Sequence, residues 1–342
     1  MKRILFFLLI WLSSILMATS NVNADAPEVG STMRIQYNNL RGDSYQYHVS
    51  SFDIRSIRPY WKGSLIDGKL KYKLLLGFEK NSSDIAVLDA CGDYKISDML
   101  IIRFGQFKVP FDRQFLTPLG AMQFIERGVG GLKPFKRDRG VTIRGNITKV
   151  FLTYDFGIFN GTGITKNFNA KNISGENKQK HIFAGRVTIN PQGEYGYKLA
   201  LPDEADEFRT TAGFGFATGQ QNNDTTDAVT YCFDVAVRNK GFTAMFEYQN
   251  KHIEFPIKKT TTTGITVQAG YFILPKLEPV GRYSNQKIKN GTTTNEMTFG
   301  FNYYFAKNNA KLQLNYTLLE NDYTSDENKR DNKMQLLYQL VF

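Results

Sequence analysis

Apolar and polar residues alternate with a period of two along most of the chain. In 149–158, Val150, Leu152, Tyr154, Phe156 and Ile158 alternate with Thr153, Asp155 and Gly157. In 229–238, Val229, Tyr231, Phe233, Val235 and Val237 alternate with Thr230, Cys232, Asp234 and Arg238. The last residues set Met334, Leu336, Tyr338, Leu340 and Phe342 against Lys333, Gln335 and Gln339. A period of two is the signature of strands with one apolar face. It predicts sixteen of them: 33–39, 51–61, 69–78, 85–96, 99–108, 139–147, 149–158, 181–190, 209–218, 229–239, 241–250, 262–272, 276–286, 294–305, 309–319 and 332–342.

The connectors show a second alternation. Those after odd strands are mostly long: 40–50, 109–138, 159–180, 219–228, 251–261, 287–293 and 320–331. Those after even strands are mostly tight: Ser97-Asp98, Thr148, Asn239-Lys240-Gly241, Leu274-Pro275 and Ala306-Lys307-Asn308. Connector 191–208 breaks the rule. Long loops at one end, tight turns at the other and strands of about ten residues predict an all-β fold, a transmembrane antiparallel β-barrel of sixteen strands. A soluble sandwich also alternates, with its apolar face inward. Its core could not hold the charges found on the polar face here.

The first segment changes the address. Met1-Lys2-Arg3, the apolar run Ile4–Met17 and Asn23-Ala24-Asp25-Ala26 have the three parts of a secretory signal. The expected organisation is a cleaved signal at 1–26 and an outer-membrane barrel over 27–342, in the cell outer membrane of a Gram-negative bacterium. Lys and Arg total 43 against 32 Asp and Glu, a formal charge of +11. Export makes a nucleic acid an unsuitable partner for that charge, so small anions and outer-membrane lipid are the expected ones. Cys91 and Cys232 are the only cysteines, in no metal-ligand spacing, and are expected to be structurally bland thiols. Neither a metal nor a cofactor is called for.

If apolar residues face lipid, the alternate residues line a pore. Lys69, Lys71 and Lys73 then form one row. Arg34, Arg55, Lys95, Arg103, Arg144, Arg186, Arg209, Arg238, Lys276, Arg282, Lys311 and Lys333 also turn inward. The inward acids are fewer, and excess lumenal base selects anions. Arg282 beside Glu278, and Lys95 beside Asp93, read as ion pairs. Arg55 and Arg58 have opposite parity, so either a bulge lies between them, as Pro59 suggests, or Arg58 sits near an interface. The longest connector, 109–138, carries Phe111, Arg113, Arg127, Lys133, Lys136 and Arg137, and reads as a loop folded into the lumen. Its Gly128-Val129-Gly130-Gly131 lacks the Gly-Lys-Ser/Thr ending of a phosphate-binding loop.

Arg103-Phe-Gly-Gln-Phe-Lys-Val-Pro-Phe111 resembles the signature of the phosphate-selective porin O/P family. Phe124-Ile-Glu-Arg127, Arg137-Asp-Arg-Gly140, Leu88-Asp-Ala90 and Glu278-Pro-Val-Gly-Arg282 are similar to further segments of it. The resemblance implies a trimeric sixteen-stranded barrel passing phosphate or related anions through a channel lined by Arg and Lys. It implies that Arg55 matches an arginine the family often doubles, with Ser56 in the second place. It also implies that Lys108, Arg127, Arg137 and Arg139 border the constriction. The terminal alternation ending at Phe342 resembles the signal read by outer-membrane insertion machinery. The expected anion pathway is thus Arg55, Arg58, Lys69, Lys71, Lys73, Lys108, Arg127, Arg137 and Arg139.

Two other classes compete. An enzymatic barrel needs a nucleophile and base, yet only His48, His181 and His252 exist and no Gly-x-Ser-x-Gly occurs; no catalysis is expected. A structural or adhesin-type barrel would use outer loops such as 159–180, with Lys166, Lys171, Lys178 and Lys180, or the threonine-rich 260–263. Conductance separates it from a porin.

Overall fold

The computed structural model describes residues 25–45, 48–79, 84–132, 136–147, 151–161, 163–164, 181–199, 207–220, 227–254, 259–323 and 328–342. The expected leader except Asp25 and Ala26, the Thr148 turn, Lys133 and the four lysines of 159–180 lie outside the described residues.

Sixteen strands form: β1 (Glu28–Gly42), β2 (Val49–Leu65), β3 (Leu70–Glu79), β4 (Ala86–Ser97), β5 (Leu100–Lys108), β6 (Arg137–Ile147), β7 (Leu152–Phe159) and β8 (Ile182–Ile189) in the first half. The second half holds β9 (Arg209–Gln220), β10 (Asp227–Asn239), β11 (Phe242–Glu254), β12 (Lys259–Tyr271), β13 (Leu277–Ile288), β14 (Thr293–Ala306), β15 (Ala310–Asp322) and β16 (Lys329–Val341). Each strand pairs antiparallel with its sequence neighbours, and β1 pairs β16 to close the barrel. Closure leaves no free edge, as a sheet in lipid requires. Among the described residues, no helix is long and apolar enough to cross a membrane.

The alternation behaves as expected. On β10, Phe233 and Val235 are exposed on the outer face, while Cys232 and Asp234 are buried inside. On β2, Arg34 of β1 pairs with Ser56 and Ile35 pairs with Ile54, so Arg55 is the extra residue of a bulge. The bulge sits at Arg55 rather than at Pro59. It turns both Arg55 and Arg58 inward and leaves Phe52 and Ile54 on the lipid face.

Strand β6 begins at Arg137, two residues earlier than the alternation indicated, so the inner loop spans 109–136 and Arg137 is a wall residue. Val109 N donates to Lys136 O at 3.0 Å and closes the neck of the loop. Inside it lies the one-turn helix α1 (Arg113–Leu116), capped by Asp112, whose carboxylate accepts from Phe115 N. Val109 and Phe111 pack with Phe107, Phe159, Ile182, Ala184, Ala217 and Cys232. The inner wall is therefore apolar where the loop docks, which period-two reasoning assigned to the lipid face alone.

Candidate functional site: a basic eyelet beside a docked loop

The loop divides the lumen unequally. It lies against the wall from β8 to β16, where many inward polar groups hold it. Asp234 is shared by Arg113 Nε at 2.7 Å and Arg186 Nη2 at 2.5 Å. Glu247 accepts from Gln114 N (3.0 Å) and Gln114 Nε2 (2.9 Å). Lys311 Nζ donates to Met122 O (2.8 Å), and Ile125 N donates to Asn315 Oδ1 (2.8 Å). The four-residue run Gly128-Val129-Gly130-Gly131 lets backbone meet backbone: a Cβ at Gly130 would collide with the Ile265 main chain of β12. Gly130 N donates to Ser284 Oγ at 2.8 Å. Those glycines serve the docking of the loop.

Several sequence-based pairings change here. Arg282 is paired with Glu296 at 2.6 Å, not with Glu278, which accepts from Tyr304, Asn302 and Gln123. Lys95 pairs with Asp98 at 2.6 Å, because Asp93 is held by Nε and Nη2 of Arg103 at 2.5 and 2.6 Å. Arg186, Arg238, Arg282 and Lys311 do turn inward as expected. They are buried against the loop, and of the four only Arg186 also borders the open cavity.

The open space lies on the other side. A cavity of about 1110 Å³ runs from the loop to the short-turn end, bounded chiefly by β1 to β8. Its loop level is basic. Arg34, Arg58, Lys73, Lys108, Arg127 and Arg137 all line it. Two carboxylates serve these six: Glu79 holds Arg58 Nε at 2.6 Å, and Asp89 holds Lys73 at 2.9 Å and Arg137 at 2.6 Å. The set is left with a net charge of four.

Lys108 and Arg127 are held by carbonyl oxygens at the C-terminal end of α1. Lys108 Nζ donates to the carbonyls of Phe115 (2.6 Å), Leu116 (3.0 Å) and Thr117 (3.3 Å). Arg127 donates to those of Gln114 (2.7 Å), Phe115 (3.3 Å) and Thr117 (2.9 Å). Helix C-termini present unpaired carbonyls and attract cations. The Phe115 ring lies among three cations, its centre 5.2 Å from Lys108 Nζ, 5.2 Å from the Arg127 guanidinium and 6.0 Å from that of Arg137. Burial, joined by the repulsion of Arg58 and Arg137 and opposed by Asp112, pushes the Arg127 guanidinium down to about 10. It stays protonated at neutral pH.

The expected site residues therefore separate. Arg58, Lys71, Lys73, Lys108, Arg127 and Arg137 line the cavity. Arg55 does not: it sits beside the loop, 3.3 Å from Glu126. Lys69 precedes β3 in the turn at the short-turn end, outside the cavity lining, so the three-lysine row shortens to two. Arg139 also lies outside, its Nη2 donating to Gly163 O at 2.8 Å in the β7–β8 connector. Arg34 joins the set. It is 1% exposed, Nη2 reaches Ile125 O at 3.1 Å, and Nε and Nη1 have no hydrogen-bond partner among the described residues. The sequence signal for Arg34 was its parity alone, which it shares with fourteen other bases. Cys91 lines the cavity and Cys232 lies in the buried cluster; both are free thiols.

The profile of the family described as phosphate-selective porin O and P matches residues 28–342. An uncharacterized protein of Aquifex aeolicus is 22% identical, over 90% of this chain and 84% of that one. Among solved structures, an anion-selective porin from Comamonas acidovorans superposes with a TM-score of 0.67 at 12% identity, covering 93% of this chain and 99% of that one. OmpT, an outer membrane protein of Vibrio cholerae in its trimer form, gives 0.62 at 14% identity, over 93% and 100%. The outer membrane channel DcaP of Acinetobacter baumannii gives 0.64 at 14%, over 93% and 97%.

Proposed function

The chain belongs to the phosphate-selective porin O and P family, and from that premise we propose that this outer-membrane porin passes small anions, phosphate or related oxyanions among them. One observation carries the reading: six cations surround the loop-level passage with two carboxylates among them, and Lys108 and Arg127 are anchored by neutral carbonyls. A carbonyl fixes a cation without cancelling its charge, so the field at the passage remains positive.

In this reading an anion meets Arg55 beside the loop, then exchanges water for donors of Arg58, Arg127, Lys108 and Arg137 with Arg34 behind them, and leaves past Lys73 and Lys71. Arg offers a planar fork and Lys a point charge, both suited to phosphate oxygens. Lys69 acts at the mouth and Arg139 as a wall residue. Homotrimer formation, removal of a signal ending near Ala26, and recognition of Phe342 by insertion machinery belong to the same proposal. Phe342 is 72% exposed at the barrel seam, where its N and O bond Ser31.

The test is reversal potential across a KCl gradient in planar bilayers, then phosphate block of the chloride current in wild type, Arg58→Gln and Arg127→Gln. Anion preference with block weakened in both variants is the expected result. Cation preference, or equal block in all three, overturns it. A silent pore instead favours a structural barrel.

A further inference from the structure

Residues 191–199 start the connector between β8 and β9, at the end of the barrel where the other links are tight turns. A hairpin needs no such length. The segment does not rest at the mouth: Tyr195 and Leu199 are buried with Ala236 of β10 and Met245 of β11. Leu199 N donates to Ala121 O of the constriction loop at 3.1 Å.

Arg113, 1% exposed, is the joint. Its Nη1 donates to Gly196 O at 3.0 Å, and its guanidinium lies 5.2 and 5.3 Å from the ring centres of Tyr195 and Tyr197. From the wall, Arg186 donates to Tyr197 OH at 3.1 Å and to Phe111 O of the loop at 2.8 Å. Both arginines share Asp234. One carboxylate thus binds loop, wall and connector together, and two tyrosine faces enclose the loop's arginine. Aromatic faces attract guanidinium most where water is excluded.

We propose that 191–199 is a strap that fixes the constriction loop from the short-turn side, with Glu194, Gly196 and Tyr197 forming a second lip of the passage. A four-residue helix has no stability of its own. Arg113 opens α1, and the far end of α1 supplies the carbonyls that hold Lys108 and Arg127. Arg113 is accordingly a positioning residue: the strap sets where the anion-facing cations stand. This consequence for conduction rests on the channel reading above.

Two measurements test it on the protein folded in outer membranes. First, Ala121→Cys with Leu199→Cys, in a Cys91→Ser/Cys232→Ser background, should form a disulfide on mild oxidation, seen as a shift on gels. Absence of the cross-link overturns the docked strap. Second, Tyr195→Ala/Tyr197→Ala should raise single-channel conductance about 1.5- to 2-fold and add open-state noise, since a less constricted pore conducts more. The oxidised cysteine pair should be no noisier than wild type. Wild-type conductance and noise in the tyrosine variant overturn the fixing role even if the cross-link forms. If that variant lacks heat-modifiable folding, Tyr197→Phe, which removes only the hydrogen bond from Arg186, takes its place with a smaller rise in noise. A silent wild type defeats the channel reading, while the cross-link still judges the strap.

Discussion

Removing the charges of Lys71 and Lys73 should shift ion preference by an amount that depends steeply on salt. Both residues line the cavity on β3, and both are open enough for an ion to approach. A monovalent ion passing about 6 Å from one such charge in water gains or loses about 0.7 kcal/mol. Screening at 0.1 M, with a Debye length of about 10 Å, reduces this to about 0.4 kcal/mol. Two lysines together then amount to about 0.8 kcal/mol, a factor of about four in anion occupancy and the inverse for cations. The double variant Lys71→Gln/Lys73→Gln should lower the chloride-to-potassium permeability ratio about 15-fold at 0.1 M. At 1 M the Debye length is about 3 Å and the same change should be about twofold.

Glutamine is the right replacement because it brings no like charge toward Asp89. That carboxylate keeps Arg137 at 2.6 Å when Lys73 is gone, so the wall stays paired. The assay is reversal potential across KCl gradients centred near each salt concentration. Lys69→Gln is the control, being in the turn outside the cavity, and should change the ratio far less. A ratio unchanged by the double variant would refute the reasoning. So would an equal change at both salts, or an effect of Lys69→Gln as large as that of the pair.

Two further outcomes follow from the ion pairs. Glu79→Gln should release Arg58, which Glu79 holds at 2.6 Å, and so strengthen phosphate block of chloride current at low salt; unchanged or weaker block contradicts it. Ser56→Arg, which doubles the arginine in sequence, should cost assembly rather than tighten binding, because Ser56 is fully buried and pairs across strands with the buried Arg34; an unpaired buried charge costs about 3–5 kcal/mol, and a normal yield of heat-modifiable barrel with tighter phosphate block contradicts that.

The barrel was legible because its physics is local. A strand with lipid on one side and water on the other must alternate, and each strand states this by itself, as β10 does with Phe233 and Val235 against Cys232 and Asp234. The bulge at Arg55 could be anticipated from a parity conflict within one segment. The site was only partly legible because ion pairing is decided across strands. Arg282 and Glu278 are close in sequence, yet Glu296 on the neighbouring strand takes the arginine. Lys95 loses Asp93 to Arg103 of β5 for the same reason. The division of the lumen was not legible at all, since nothing in β10 or β15 announces that a loop from β5 will cover Asp234 and Lys311. Connector 191–208, of which 191–199 forms the strap, was visible as an anomaly of length. Its place under the loop depends on Arg113, Arg186 and Asp234, which come from three separated regions.

The division also explains why a count of bases overstates what an ion meets. A cation clamped to a carboxylate is a dipole at the range of a passing ion, and its field falls off faster than that of a lone charge. Arg113 of the loop and Arg186 of the wall on Asp234, and Arg282 on Glu296, are of this kind, and all three are buried. Lys108 and Arg127 are also immobilised, each by three carbonyl contacts, yet those neutral acceptors leave each with its full charge. Carboxylates therefore hold the loop in place, and carbonyls of that loop hold the cations that face the passage. The second task depends on the first: only a backbone fixed against the far wall can present the end of α1 at a constant position. Substitutions at Asp234 or Glu296 should accordingly disturb ion preference through geometry, while those at Lys71 and Lys73 act through charge and fade with salt.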